Sequence, residues 1–165
     1  MPRFAAAVVA AALALALPAC SSDPPLDVAP NVDLAQFSGR WFEIAKLPRV
    51  AEAKCTNTVA VYTVRDGGLD IDNQCNDGAF DGPVRKQSMR ASVAESTSQL
   101  TLTVAGFSGD YWILEVGPQY EYAMIGVPSR DYLWILSRTP TLDAKTLDAL
   151  VAHAKDKKFD VSRLE

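Results

Sequence analysis

Histidine occurs once in this chain and cysteine three times in 165 residues. The single histidine, His153, stands among lysines near the C-terminus, on a segment with helical spacing. A Ser-His-Asp or Cys-His relay would have to be built on that solvated position, and zinc would lack ligands. No phosphate-cradling glycine loop, nucleophile elbow or metal-spaced cluster occurs. Basic residues never run beyond pairs such as Arg85-Lys86, and the formal net charge is −4, which argues against nucleic acid as a partner. After residue 17 no apolar stretch reaches membrane-spanning length. The expectation is a protein without metal, cofactor or enzymatic reaction.

The one long apolar run is at the start. Phe4 to Leu17 follows Met1-Pro2-Arg3 and is too short to cross a bilayer, but it has the length of a signal-peptide core. Leu17-Pro18-Ala19-Cys20 then resembles a bacterial lipobox, in which the cysteine thiol is acylated and becomes the mature N-terminus. Each buried acyl methylene contributes about 0.8 kcal/mol, so an acylated Cys20 would hold the chain firmly to a membrane. Residues 1–19 are therefore expected to be a signal peptide. Residues 20–31, with three prolines and little apolar content, are expected to be a lipidated N-terminus and tether. Residues 32–165 are long enough for one domain with its own core.

Cys55 and Cys75 remain. Between them lie a β-branched run, Thr58 to Val64, a turn at Asp66-Gly67-Gly68 and a second run, Leu69 to Gln74. A hairpin folded at Asp66-Gly67 brings its ends together, and export permits oxidation, so a disulfide is expected over two independent thiols.

Further apolar or alternating segments follow at Arg85–Ala94, Leu100–Val104, Asp110–Val116, Glu121–Val127 and Tyr132–Ser137. With Arg40–Leu47 at the front they make eight strands joined by short connections, which suggests an up-and-down β-barrel. Val32–Phe37 suits a short helical plug. After Pro140 the spacing changes to three and four residues, at Leu142, Thr146, Leu147, Leu150, Val151 and Ala154. That pattern predicts an amphipathic helix packed outside the barrel, with Thr141 as its cap and a short final strand at Phe159–Val161.

Three stretches carry a family resemblance: Gly39-Arg40-Trp41-Phe42-Glu43-Ile44-Ala45, Asp110-Tyr111-Trp112-Ile113-Leu114 with Tyr120-Glu121-Tyr122-Ala123, and Tyr132-Leu133-Trp134-Ile135-Leu136-Ser137-Arg138-Thr139-Pro140. Together with the lipobox they resemble the bacterial lipocalins, outer-membrane lipoproteins close to the apolipoprotein-D branch. The resemblance covers Val32 to Glu165. Gly117-Pro118-Gln119 replaces the usual Thr-Asp-Tyr, and Met89 stands near a common glycine position. The resemblance implies an all-β, eight-stranded antiparallel calyx whose floor is closed by Gly39, Trp41 and Arg138. It implies a lipid ligand, a fatty acid or lysophospholipid, held by Glu43, Tyr62, Asn73 and Trp134 for storage or transport in envelope maintenance. The alternative is a lipocalin-fold enzyme or a non-binding scaffold. The protein would sit on the outer membrane through Cys20 and face the periplasm, with the oligomeric state open and a dimer allowed.

Alternation from Trp41 predicts that Glu43 and Ala45 also face inward. A carboxylate facing an apolar interior must be paired, with Lys46 or Arg90, or must orient a polar head group.

Overall fold

The computed structural model describes residues 24–165. The leader and Cys20, the expected lipid attachment point, lie outside the described residues. Eight strands run β1 (Gly39–Lys46), β2 (Cys55–Arg65), β3 (Gly68–Asp77), β4 (Val84–Ser96), β5 (Gln99–Val104), β6 (Phe107–Val116), β7 (Tyr122–Gly126) and β8 (Leu133–Ser137). Each pairs antiparallel with its neighbour in sequence, and β1 pairs with β8, so the sheet closes into a barrel without free edges. Helix α1 (Leu34–Phe37) plugs the end where β1 begins, and helix α2 (Ala144–Asp156) lies outside.

Alternating side chains divide the core in two. The inner cluster holds Trp41, Ala60, Tyr62, Leu69, Ile71, Ala91, Leu100, Tyr111, Ile113, Ile125, Trp134 and Leu136. The outer cluster, beneath α2, holds Leu47, Leu114, Met124, Leu133, Ile135, Leu150, Ala154 and Phe159. Gly126 lies against the outer cluster with no room for a side chain, since a Cβ there would come within 2.7 Å of Phe159 and 2.8 Å of Leu114.

Three sequence expectations are corrected. The strand β1 carries a bulge: Glu43 pairs with Leu136, but Ala45 pairs with Ile135, leaving Ile44 as the extra residue. The bulge reverses the alternation. Ala45 therefore packs in the outer cluster instead of facing inward, while Lys46, opposite Trp134, faces inward. Thr141 does not cap α2. The cap is Asp143, whose carboxylate accepts from the Thr146 amide at 2.9 Å, a geometry that shields an orphan amide at a helix start. No strand forms at Phe159–Val161. A 3₁₀ turn covers Val161–Arg163, and the terminal Glu165 exchanges backbone hydrogen bonds with Lys46, where β2 has splayed away from β1.

The disulfide Cys55–Cys75 ties β2 to β3, with the Cα atoms 5.3 Å apart. It lies at the end of the barrel opposite α1, here called the mouth. The N-terminal segment runs down the outer wall between the two ends. Pro24 accepts from the Arg130 guanidinium in the β7–β8 loop at the mouth, Ala29 donates to Ile113 of β6, and Asp33 donates to the Tyr120 hydroxyl at the floor.

Candidate functional site

The floor is built by the three residues that the sequence singles out. Gly39 has φ +101°, a conformation that side chains rarely adopt, and an added Cβ would stand 3.2 Å from Arg138. This lets the chain turn from α1 into β1 directly beneath the guanidinium. Arg138 lies over the Trp41 ring with its central carbon 3.8 Å from the ring centroid. Its nitrogens donate to the carbonyls of Tyr120, Arg40, Gln36 and Phe37 at 3.1, 2.9, 2.7 and 3.2 Å. The indole N–H of Trp41 donates to the Phe37 carbonyl at 2.8 Å. A cation, an indole and carbonyls at the end of α1 thus satisfy one another. The Gly117–Glu121 loop contributes Tyr120, which accepts from Asp33 through its hydroxyl and from Arg138 through its carbonyl.

Tyr62 is buried just above this floor. Its ring meets Phe37 edge-on at 5.2 Å, and its hydroxyl lies 2.6 Å from that of Tyr111. Burial pushes both phenols well above the usual range, so both are neutral and one must donate to the other. Tyr111 in turn lies 5.8 Å from the Trp134 ring. Met89 sits in register with Ile71 and packs against the inner cluster, so its side chain occupies barrel space that a glycine would leave open.

The upper half is different. Glu43 pairs with Lys46 at 3.2 Å, and both side chains are largely buried. A regular strand sets residues three apart on opposite faces; the bulge at Ile44 is what allows this pair to share the interior. Burial raises the Glu43 pKa, outweighing the attraction of Lys46, and Glu52 adds to the rise. Arg90, the other cation considered for Glu43, lies on the outer face and binds Asp70 at 2.8 Å.

Over the mouth runs a strap, the Leu47–Lys54 connection with a 3₁₀ turn at Val50–Glu52. Arg49 lies over the rings of Tyr132 and Trp134, at 4.9 and 5.2 Å, and binds Glu52 at 2.8 Å. On the far side, Arg85 of β4 donates to the Ala51 carbonyl at 3.3 Å. Beneath the strap, Glu52, Thr58, Asn73, Cys75, Arg85 and Gln87 border a cavity of about 160 Å³. Two buried polar atoms there lack a hydrogen-bond partner, Oδ1 of Asn73 and Oε2 of Glu52. The Lys46 ammonium stands 4.0 Å from the latter, and Arg49 holds the other oxygen of the same carboxylate.

The structure therefore brings Glu43 and Asn73 to the mouth with Trp134, and sets Tyr62 deeper, against the floor. Sequence reasoning missed Arg49 and Glu52, which sit in a connection without periodicity. It also missed Tyr111 as the partner of Tyr62, although its alternation with Ile113 places it on the inner face. His153 lies outside on α2, 2.9 Å from Glu115. Among the described residues, no group of three or more potential metal ligands occurs.

Comparison with known proteins bears on this arrangement. The family model for a lipocalin-like domain matches residues 32–165. The outer membrane lipoprotein Blc of Escherichia coli K12 is 33% identical over 168 aligned residues, covering 98% of this chain and 94% of that protein. Temperature-induced lipocalin-1 of Arabidopsis thaliana is 32% identical, covering 84% of this chain and 80% of its own. Among solved structures, insecticyanin from the tobacco hornworm superposes with a TM-score of 0.65 at 21% identity, covering 86% of this chain and 83% of that one. Lobster apocrustacyanin A1 gives 0.65 at 17%, covering 79% and 76%. At these identities the two structures speak to the fold alone.

Proposed function

Because the chain belongs to the lipocalin family, we propose that it is a binding protein that takes a fatty acid or lysophospholipid into its barrel, for storage or transport in envelope maintenance. The observation that carries this reading is the division of the interior. An apolar wall of Ile71, Met89 and Leu102 lies beneath a mouth lined by Trp134 and by the polar Glu43, Lys46, Glu52 and Asn73. A lipid has the same division, with an acyl chain to bury and a head group to hydrogen-bond. The unpartnered oxygens of Asn73 and Glu52 are acceptors for a hydroxyl or ammonium donor. Small-molecule pockets usually measure about 300–1,000 Å³, so a cavity of about 160 Å³ requires the strap to swing out as the ligand enters.

Placement at the outer membrane through an acylated Cys20 is supported by Leu17-Pro18-Ala19-Cys20 and by the outer-membrane lipoproteins that the chain resembles. The domain division, with a signal peptide at 1–19 and a tether at 20–31, rests on the same motif.

The test is a titration of delipidated, full-length mature protein with a fluorescent fatty acid and a fluorescent lysophospholipid. Saturable micromolar binding, weakened at least fivefold by Trp134→Ala, is expected. Absence of saturable binding would sink the reading and leave the scaffold alternative, which the strapped mouth favours. Mass spectrometry of the purified chain checks the acylation independently.

A further inference from the structure

The seven exposed large apolar side chains among the described residues are unevenly placed. Val50 is 98% exposed, Phe80 79% and Phe107 78%. Val50 lies in the β1–β2 connection, Phe80 in the β3–β4 connection and Phe107 at the first position of β6, all at the mouth. Val84, at 58%, and Tyr132, at 40%, belong to the same rim, the latter in the fourth mouth loop, β7–β8. Each of the four strand connections at this end therefore has an exposed large apolar side chain within it or at its edge. The two remaining, Val64 and Val93, stand on strands near the floor and are less than half exposed. Three floor connections, Asp66-Gly67, Thr97-Ser98 and Gly117–Glu121, offer none. Single exposed apolar residues need no explanation, but three that are more than three-quarters exposed all stand around one opening and none stands at the other end, a one-sided distribution that the chain's path accounts for.

The path of the N-terminal segment says what that surface meets. Pro24 is fastened at the mouth, to Arg130 of the β7–β8 loop. Cys20 precedes it by four residues, which reach at most about 14 Å fully extended. The 11 residues of β2, at roughly 3.3 Å each and tilted as barrel strands are, make the barrel about 28 Å long. The leash is too short to pass the length of the barrel, so a membrane holding Cys20 cannot lie beneath the floor.

We propose that the mouth end is a membrane-contact surface, with Val50, Phe80 and Phe107 entering the leaflet that holds the Cys20 acyl chains, so that the barrel opens toward the bilayer. This rests on the acylation and ligand readings above and adds an orientation to them. Lipid would then pass between leaflet and barrel beneath the strap without crossing water. Val50, at the crest of the strap, would be the first side chain to touch the bilayer and would couple contact to opening.

The acylated full chain in phosphatidylethanolamine–phosphatidylglycerol vesicles is compared by hydrogen exchange with the Cys20→Ser chain free in solution. Amides of residues 49–53, 78–82 and 105–108 are expected to gain at least tenfold protection, and those of 66–67 and 117–121 none. Protection centred on the floor or on the outer wall overturns the proposal. So does protection of the mouth loops in the vesicle-free chain that rises with protein concentration, which assigns the rim to a second copy. The double variant Phe80→Ser/Phe107→Ser changes only exposed positions and keeps the fold. It is expected to bind fluorescent fatty acid in solution as the parent does, yet to extract it from vesicles about tenfold more slowly. Equal extraction overturns the orientation and leaves the ligand reading standing. Loss of binding in solution by the parent chain itself sinks the ligand reading, and the hydrogen-exchange pattern still decides the orientation.

Discussion

The two ends of this barrel are made from similar parts and behave in opposite ways. Each has an arginine on a tryptophan, Arg138 on Trp41 at the floor and Arg49 on Trp134 at the mouth. At the floor the guanidinium is also bound by four carbonyls, and the tryptophan is fully buried. At the mouth the guanidinium, itself on the strap, holds one carboxylate of the same strap, two buried oxygens go without partners, and apolar tips face outward. The same cation–π contact can seal a core or latch a lid. Which it does depends on how many other bonds hold the arginine in place.

The comparison breaks first at the tryptophans. Trp41→Ala is expected to cost about 3–5 kcal/mol in urea unfolding, and Trp134→Ala less than about half of that, because the strap can settle into the space. Equal losses would mean that the mouth is as rigid as the floor. Next, Cys55→Ser/Cys75→Ser should cost about 3 kcal/mol for a loop of 20 residues. Exchange of the amides near 49–58 should rise while those around Trp41 stay protected. Tyr62→Phe, which strands the Tyr111 hydroxyl, should cost about 1–3 kcal/mol, and adding Tyr111→Phe should restore much of it. A double variant no more stable than the single one would show that the pair does more than satisfy itself. Arg49→Ala should cost under about 1 kcal/mol yet speed fatty-acid association severalfold in stopped flow, because it releases the latch.

The smallest effect is a pH slope. Glu43 has its pKa raised in the folded state, chiefly by burial. Its contribution to stability is fully present below the unfolded value of about 4.3 and is lost as pH rises through the folded value. Glu43→Gln should remove that decline. Asp33, Asp70 and Asp143, whose pKa values are lowered by hydrogen bonds, act in the opposite direction but cancel between the two chains. Melting temperatures of both chains between pH 4 and 7 check this.

Much of the floor was legible in the sequence because its residues have conformations or bulk that few others can supply. Only glycine is at ease at the φ of residue 39, and a tryptophan in alternation with apolar neighbours faces a core. The eight strands followed from alternation and from turn residues, and the disulfide from hairpin geometry. The mouth was less so. Glu43-Ile44-Ala45-Lys46 contains no glycine or proline to announce a bulge, so counting by twos put Ala45 inside, although the need to pair a buried carboxylate did point to Lys46. The strap has no period at all, and the contacts of Arg49 and Glu52 are long-range consequences of where β8 and β4 lie. The α2 cap was missed by two residues because Thr141 and Asp143 are both good cap residues, and tertiary packing chose between them.

The bulge at Ile44 gives β1 the logic of a reading frame. Ile44 itself can be exchanged for another residue at small cost, because its side chain decides little. A change of length there acts differently in the two directions. Loss of Ile44 removes the bulge, and Glu43, Ala45 and Lys46 then follow in regular alternation opposite Leu136, Ile135 and Trp134, so the faces downstream are kept. A residue added there is what would turn Lys46 out to solvent and strand Glu43 without its cation. Along this strand the protein should therefore tolerate the loss of its spare residue and reject a gain, and its relatives should be shorter here before they are longer.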